Sequence, residues 1–330
     1  MGKIRLFITL GTLLLTAARM SAQGPNGTGK YYETADGAKG RELKTALSEI
    51  IKVHDELGYG DLWEAFKTTD ARDDGRVWDM YSGITDYEFV TSGTNYKVEG
   101  DCYNREHSMP KSWFDDERPM YTDLVHLIPT DGYVNGRRSN YPFGETDEPT
   151  YTSSGGFCKL GPSSVDGYKG TVFEPNDEYK GDFARIYFYM VTCYEDKVST
   201  WESDMLAGNA YPALTQWALD MLMRWAEEDP VSKKETDRNN AVNALQGNRN
   251  PYVDYPGLEQ YVWGDKQDVA FSYDNYSTGI TVTVDDTDIP IADVYTITGV
   301  KVRSGVSRSK ATDGLKQGVY IIGNKKYVVK

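Results

Sequence analysis

Two of the chain's three histidines, His107 and His126, stand 19 positions apart in a stretch dense in groups that do chemistry. The first run reads Asn104-Arg105-Glu106-His107-Ser108-Met109-Pro110-Lys111-Ser112-Trp113-Phe114. The second holds Asp123-Leu124-Val125-His126-Leu127-Ile128-Pro129-Thr130-Asp131 and Val134-Asn135-Gly136-Arg137-Arg138-Ser139-Asn140. A Glu-His pair alone reads first as a satisfied structural contact. The whole set suits hydrolysis of a phosphodiester. That reaction needs a base for water, a cation to stabilise the crowded phosphorus and the leaving oxygen, and positive groups for the phosphate. His107 is neutral near pH 7 without a large shift and can serve as base. Glu106 and Asn135 offer hard oxygens of the kind Mg²⁺ prefers, an ion that takes few protein ligands and keeps several waters.

The elements that must carry these groups follow from periodicity. Leu43, Leu47, Ile50 and Ile51 recur at helical spacing. Asp61 stands where it would cap a short helix through Leu62, Trp63 and Phe66. Residues 77–81 (Val-Trp-Asp-Met-Tyr) alternate as a strand would. Residues 146–178, mostly Gly, Ser, Thr, Asp and Pro, read as a long loop. Three more helices are expected over 182–194, over 214–225 with Pro230 beyond its end, and over 235–245 before Gly247. After about residue 268 the pattern turns to short alternating runs: 280–284, 294–297 and 318–322, with Gly323-Asn324 as a two-residue hairpin turn before 325–329.

The two motifs resemble those of the bacterial endonuclease I family, secreted or periplasmic nucleases of the His-Me finger (ββα-metal) class. The resemblance continues through Lys180-Gly181-Asp182-Phe183-Ala184-Arg185, Arg238-Asn239 and Gln246-Gly247-Asn248-Arg249-Asn250-Pro251-Tyr252-Val253-Asp254, and ends at Tyr261-Val262-Trp263-Gly264. It implies an α+β fold: a ββα-metal core within a mainly helical domain, with the histidine at a strand end and the asparagine on the following helix. It puts the general base on His107 and the metal ligands on Glu106 and Asn135, with Mg²⁺ as the cofactor and Ca²⁺ or Mn²⁺ as alternatives. Arg138 and Arg105 become the phosphate-binding candidates. His126 becomes a holder of the metal-site loop, with Asp123 to orient it, and Asn140 a brace of the turn after the helix; Pro129 and Gly132 read as turn residues. The chain departs from some members in having only 15 residues between His107 and Asp123, so any arginine housed in a longer insertion there is missing. The implied activity is a secreted, sequence-nonspecific endonuclease acting as a monomer on DNA, with RNA as a further substrate. The 294–302 and 314–322 runs resemble the sorting modules of proteins exported by the type IX route, which implies the secretion machinery as a partner.

Composition is compatible with this reading. Residues 1–22 have a basic start, a short apolar run and small residues near the end, the form of a secretory signal peptide. The expected organisation is signal peptide 1–22, flexible leader 23–40, catalytic domain 41–266 and C-terminal β module 267–330. Losing Lys3, Arg5 and Arg19 with the signal peptide takes the net charge from −14 to −17. Nucleic-acid affinity comes mainly from phosphate neutralisation, so the positive field must be local. Three cysteines without a Cys-x-x-Cys pair exclude a structural zinc finger and allow one disulfide at most. The alternative class, a non-catalytic surface binding protein that keeps the fold, predicts a lost base or ligand, and neither is lost.

Overall fold

In the computed structural model the described residues are 24–276 and, beyond them, 291–296, 301–307, 311–312, 314–316, 318–322 and 325–329. The signal peptide, the 280–284 run and the Gly323-Asn324 turn lie outside them. The chain divides into two compact units at Tyr276/Ser277. No helix among the described residues is long and apolar enough to cross a membrane.

The first unit opens with α1 (Gly40–Ile51) and α2 (Leu62–Thr69), whose apolar stripes sit where the spacing put them. Asp61 is at the N-cap position of α2, yet its side chain makes no capping bond. Residues 77–81 form no strand; Val77 makes only an isolated bridge to Ala71. The reason is Asp79, which is buried and whose carboxylate accepts from Tyr81 N, Ser82 N and Thr85 Oγ1, folding the segment into a turn.

Next come β1 (Tyr103–His107) and β2 (Leu127–Asp131), an antiparallel pair with His107 opposite Leu127 and Tyr103 opposite Asp131. β2 runs directly into α3 (Gly132–Arg138). Asp131 caps that helix, its Oδ1 accepting from Val134 N at 2.8 Å, while Oδ2 accepts from Gly100 N at 2.8 Å. Pro129 is a strand residue and Gly132 the first of the helix, so neither is a turn residue. A Cβ at Gly132 would fall 2.6 Å from the Tyr96 ring and one at Gly136 2.8 Å from its hydroxyl, so the two glycines let that side chain lie against α3.

Residues 146–178 are not the loop expected. They carry a small antiparallel sheet, β3 (Tyr151–Thr152), β4 (Lys159–Pro162) and β5 (Thr171–Glu174), with β4 in the middle. Strands this short give too few alternations to register as a pattern.

α4 (Lys180–Cys193) is buried along nearly its whole length, its Asp182 and Arg185 paired with Lys234 and Glu235; it packs against α1 and α5 (Gln216–Glu228). α6 (Lys233–Gln246) begins with a Ser232/Glu235 capping box and ends at Gly247 in the left-handed region. The short α7 (Pro251–Asp254) and α8 (Leu258–Val262) follow.

Two expected boundaries move. Residues 24–39 are packed rather than flexible: Tyr32 and Ala35 are fully buried, and Tyr32 Oη donates to Asp254 Oδ2 at 2.8 Å. Residues 267–276 belong to the first unit. Phe271 and Tyr273 are in its core, and Gly37 N to Phe271 O (2.8 Å) with Phe271 N to Ala38 O (2.9 Å) tie the two segments together. Sparse aromatics in polar sequence hid both anchors.

The second unit is an antiparallel sheet of β6 (Ile291–Thr296), β7 (Lys301–Ser307), β8 (Gly318–Ile322) and β9 (Lys325–Val329), in the order β7-β6-β8-β9. Ile322 pairs with Lys325, the register of a two-residue hairpin. Its small core holds Val294, Ala311 and Ile322.

Candidate active site

The ββα unit brings Asn135 of α3 to Asn104 and Glu106 of β1, with His107 the next residue at the strand end. Alternation along β1 puts Asn104 and Glu106 on one face and Arg105 and His107 on the other. On the first face Asn135 Nδ2 donates to Asn104 Oδ1 at 2.7 Å, which leaves the Asn135 oxygen as the atom available to a cation. Glu106 is 4% exposed, and its Oε1 accepts from Tyr81 Oη at 2.8 Å and from Arg138 Nη1 at 2.9 Å. Burial pushes the Glu106 carboxyl upward, and Arg138 pulls it back. One carboxylate and one amide oxygen on a shared face form a hard-donor set that fits a divalent cation.

On the second face His107 is 6% exposed and its Nε2 lies 3.1 Å from Tyr121 O. A carbonyl can only accept, so this contact assigns the proton to Nε2 and leaves Nδ1 with its lone pair. Burial, then His126, lowers the imidazole to about 3, and the ring is neutral at physiological pH.

Arg138, expected at the phosphate, is instead enclosed in the protein. It is 1% exposed, and besides Glu106 its guanidinium donates to His107 O at 3.0 Å and Ser108 O at 2.6 Å. The arginine clamps the end of β1 from α3, because Glu106 is buried beneath the helix and needs a counter-charge. Arg105 remains half-exposed, its guanidinium 3.5 Å from the Tyr59 ring centroid and 4.3 Å from that of Trp63. Lys111, Arg118 and Arg137 also reach the surface, where Lys111 pairs with Asp116 and Arg118 with Glu56.

His126 is fully buried. Its Nε2 lies 2.7 Å from Met120 O, and its carbonyl accepts from Ser108 N and Oγ, so it ties the two ends of the 108–126 loop together. Asp123 does not orient that ring through a hydrogen bond. Its carboxylate accepts from Val125 N, Gln246 Nε2, Tyr189 Oη and Tyr194 Oη. The same bonds disqualify the grouping of His54, Asp123 and Cys193 as a metal centre, since the Asp123 oxygens are already committed. Asn140 lies exposed past the end of α3 and does not brace it. The three cysteines are free and buried.

The later motifs hold the loop that feeds β2. Arg238 pairs with Asp70 at 2.8 Å and donates to the carbonyls of Leu124, Val125 and Leu127. Gln246 receives Leu124 N at 2.9 Å. Sequence reasoning missed Tyr81, Tyr121 and Tyr59. Asn104 stands inside the quoted motif, but its bond to Asn135 needs the strand and helix to meet.

The Endonuclease I family profile matches residues 39–257. The chain is 33% identical over 260 residues to an extracellular ribonuclease of Bacillus subtilis, covering 77% of this chain and 84% of that protein. It is 34% identical over 261 residues to an extracellular ribonuclease of Bacillus amyloliquefaciens, at 77% and 85%. A periplasmic deoxyribonuclease of Aeromonas hydrophila is 27% identical over 135 residues, covering 41% of this chain and 48% of that protein. Like its extracellular relatives the protein is secreted. With a ββα unit carrying the histidine, glutamate and asparagine, and a profile match from α1 through α7, the chain belongs to the endonuclease I family.

Proposed function

We propose that this secreted endonuclease hydrolyses phosphodiester bonds of DNA and RNA without sequence preference, with His107 as general base and Glu106 and Asn135 holding one Mg²⁺. The observation that carries the reading is the fixed tautomer of His107, whose Nε2 is spent on Tyr121 O while Nδ1 stays free, on the strand that also bears Glu106. Nδ1 takes the proton of the attacking water, and Tyr121 O keeps the ring from turning as it becomes charged. Arg105 draws the phosphate to the His107 face. The cation, when bound, supplies positive charge to the phosphate and the leaving oxygen. Contacts to phosphates alone carry little sequence information.

Relatives named ribonuclease and deoxyribonuclease support both substrates. The C-terminal unit is proposed as the export address, on the strength of its separate small core. The test of the nuclease reading incubates the secreted protein with supercoiled plasmid and with structured RNA, with EDTA and after adding back Mg²⁺, Ca²⁺ or Mn²⁺. Cleavage of both polymers, lost in EDTA and restored best by Mg²⁺, is the expected result. Cleavage that survives EDTA contradicts the metal assignment.

A further inference from the structure

The His107 face of β1 carries more than a base. Along it runs a continuous strip of half-buried rings and cations. Trp63 stands 4.3 Å from the Arg105 guanidinium, which stands 3.5 Å from the Tyr59 centroid. Tyr59 and Tyr121 are 4.7 Å apart, and Arg118 sits 5.6 Å over Tyr121. Both tyrosines also lie against the base: His107 is 5.1 Å from Tyr121, and 6.2 Å from Tyr59 with the rings 22° from parallel. Trp63, Tyr59, Arg105 and Tyr121 all keep part of their surface in water.

The core of this protein is also rich in aromatics, but those rings are closed off from water, whereas these are not; a site for phosphate alone would need only cations. Alternating π-faces and cations match a nucleotide, which is a base and a phosphate. We infer that the Trp63–Arg105–Tyr59–Tyr121 strip is a stacking subsite for an unpaired base next to the scissile phosphate, and that it makes the enzyme prefer single-stranded DNA and RNA over duplex. This rests on the nuclease reading and narrows its substrate class. In a duplex each base face is covered by its neighbours and must be unstacked before a protein ring can take it. In a single strand or loop the face is available, and every base has one, so the preference is for strandedness and not for sequence.

The test measures kcat/KM on one oligonucleotide sequence as single-stranded DNA, duplex DNA and single-stranded RNA, for wild type, Tyr59→Leu and Tyr121→Leu, with Tyr59→Phe and Tyr121→Phe as conservative controls. The Tyr121 carbonyl that holds His107 is backbone and survives the change. Wild type should favour both single strands by about tenfold or more; each Leu variant should lose about tenfold on the single strands and far less on the duplex, with the Phe variants near wild type. Binding of wild type and the Leu variants to a fluorescein-labelled single strand in EDTA, read by anisotropy, should weaken in parallel. Equal losses on single strand and duplex would assign the rings a structural role and overturn the subsite, as would variants with no loss. A preference for RNA but not single-stranded DNA would trace it to the 2′-hydroxyl and overturn stacking as its source. A wild type with no metal-dependent cleavage of any substrate would instead remove the nuclease reading itself.

Discussion

Arg138 Nη1 lies 2.9 Å from Glu106 Oε1, and both side chains are almost wholly buried. The helix thereby reaches back to the residue before the base and fixes where β1 ends. Removing one member of a buried pair leaves the other uncompensated, which costs about 3–5 kcal/mol. Arg138→Ala should therefore lower the melting temperature sharply. Were Arg138 a phosphate contact, the variant would keep its stability and lose only substrate affinity; thermal unfolding beside a KM measurement tells the two apart.

Glu106→Gln keeps the shape of the side chain and removes its charge, and Asn135→Ala removes the amide oxygen. Each should move the Mg²⁺ titration of activity to higher concentration by about 10-fold or more, because so few protein ligands share the ion. Superimposable titrations for wild type and both variants would mean that other groups hold the metal.

The end of the catalytic unit gives a sharp boundary test. A chain ending at Tyr276 should fold and cut nucleic acid at the wild-type rate. One ending at Gln267 loses Phe271, which is 1% exposed, and Tyr273 with it. Deleting one such buried aromatic costs about 3–5 kcal/mol, so the shorter chain should unfold at markedly lower denaturant. Equal midpoints would show that residues 268–276 contribute nothing to the core.

Lys44 gives the pH dependence. Its side chain is fully buried, with Nζ 3.1 Å from Glu195 Oε1, and burial lowers it to about 8 from 10.5. A base lowered in the folded state weakens the fold while both states are protonated, and the deficit shrinks as pH rises from the folded value toward the unfolded one. Between pH 7 and 9.5 the gain is about 2 kcal/mol. Measured against Lys44→Met by urea denaturation, wild type should gain by that order over the interval. A difference that stays flat with pH would show that Lys44 titrates normally.

Much of the site was legible in the chain because its chemistry sits on one strand and one helix close in sequence. Glu106 and Asn135 needed only the ββα connection to meet, and His107 is the next residue along the strand. The long helices were legible too, since α5 carries its own apolar stripe and Pro230 and Gly247 mark where α5 and α6 stop. What stayed hidden depends on contacts distant in sequence. Arg138 reads as a phosphate-binding cation beside Arg137 until the fold turns it against Glu106. Tyr121 acts through its carbonyl, which no residue type announces. Tyr59 and Tyr81 come from segments with no catalytic pattern, and Tyr32 and Phe271 sit in stretches too polar to read as core.

The central claim is that His107 is the base, and the most direct measurement is the cleavage rate of purified His107→Ala on single-stranded oligonucleotide at saturating Mg²⁺, with folding verified by circular dichroism. His126 stands 5.6 Å away but is buried and committed to Met120 O, so it offers no substitute. The account predicts a loss of about 10²–10⁴-fold with the fold intact. A folded variant that cuts at near the wild-type rate would contradict it.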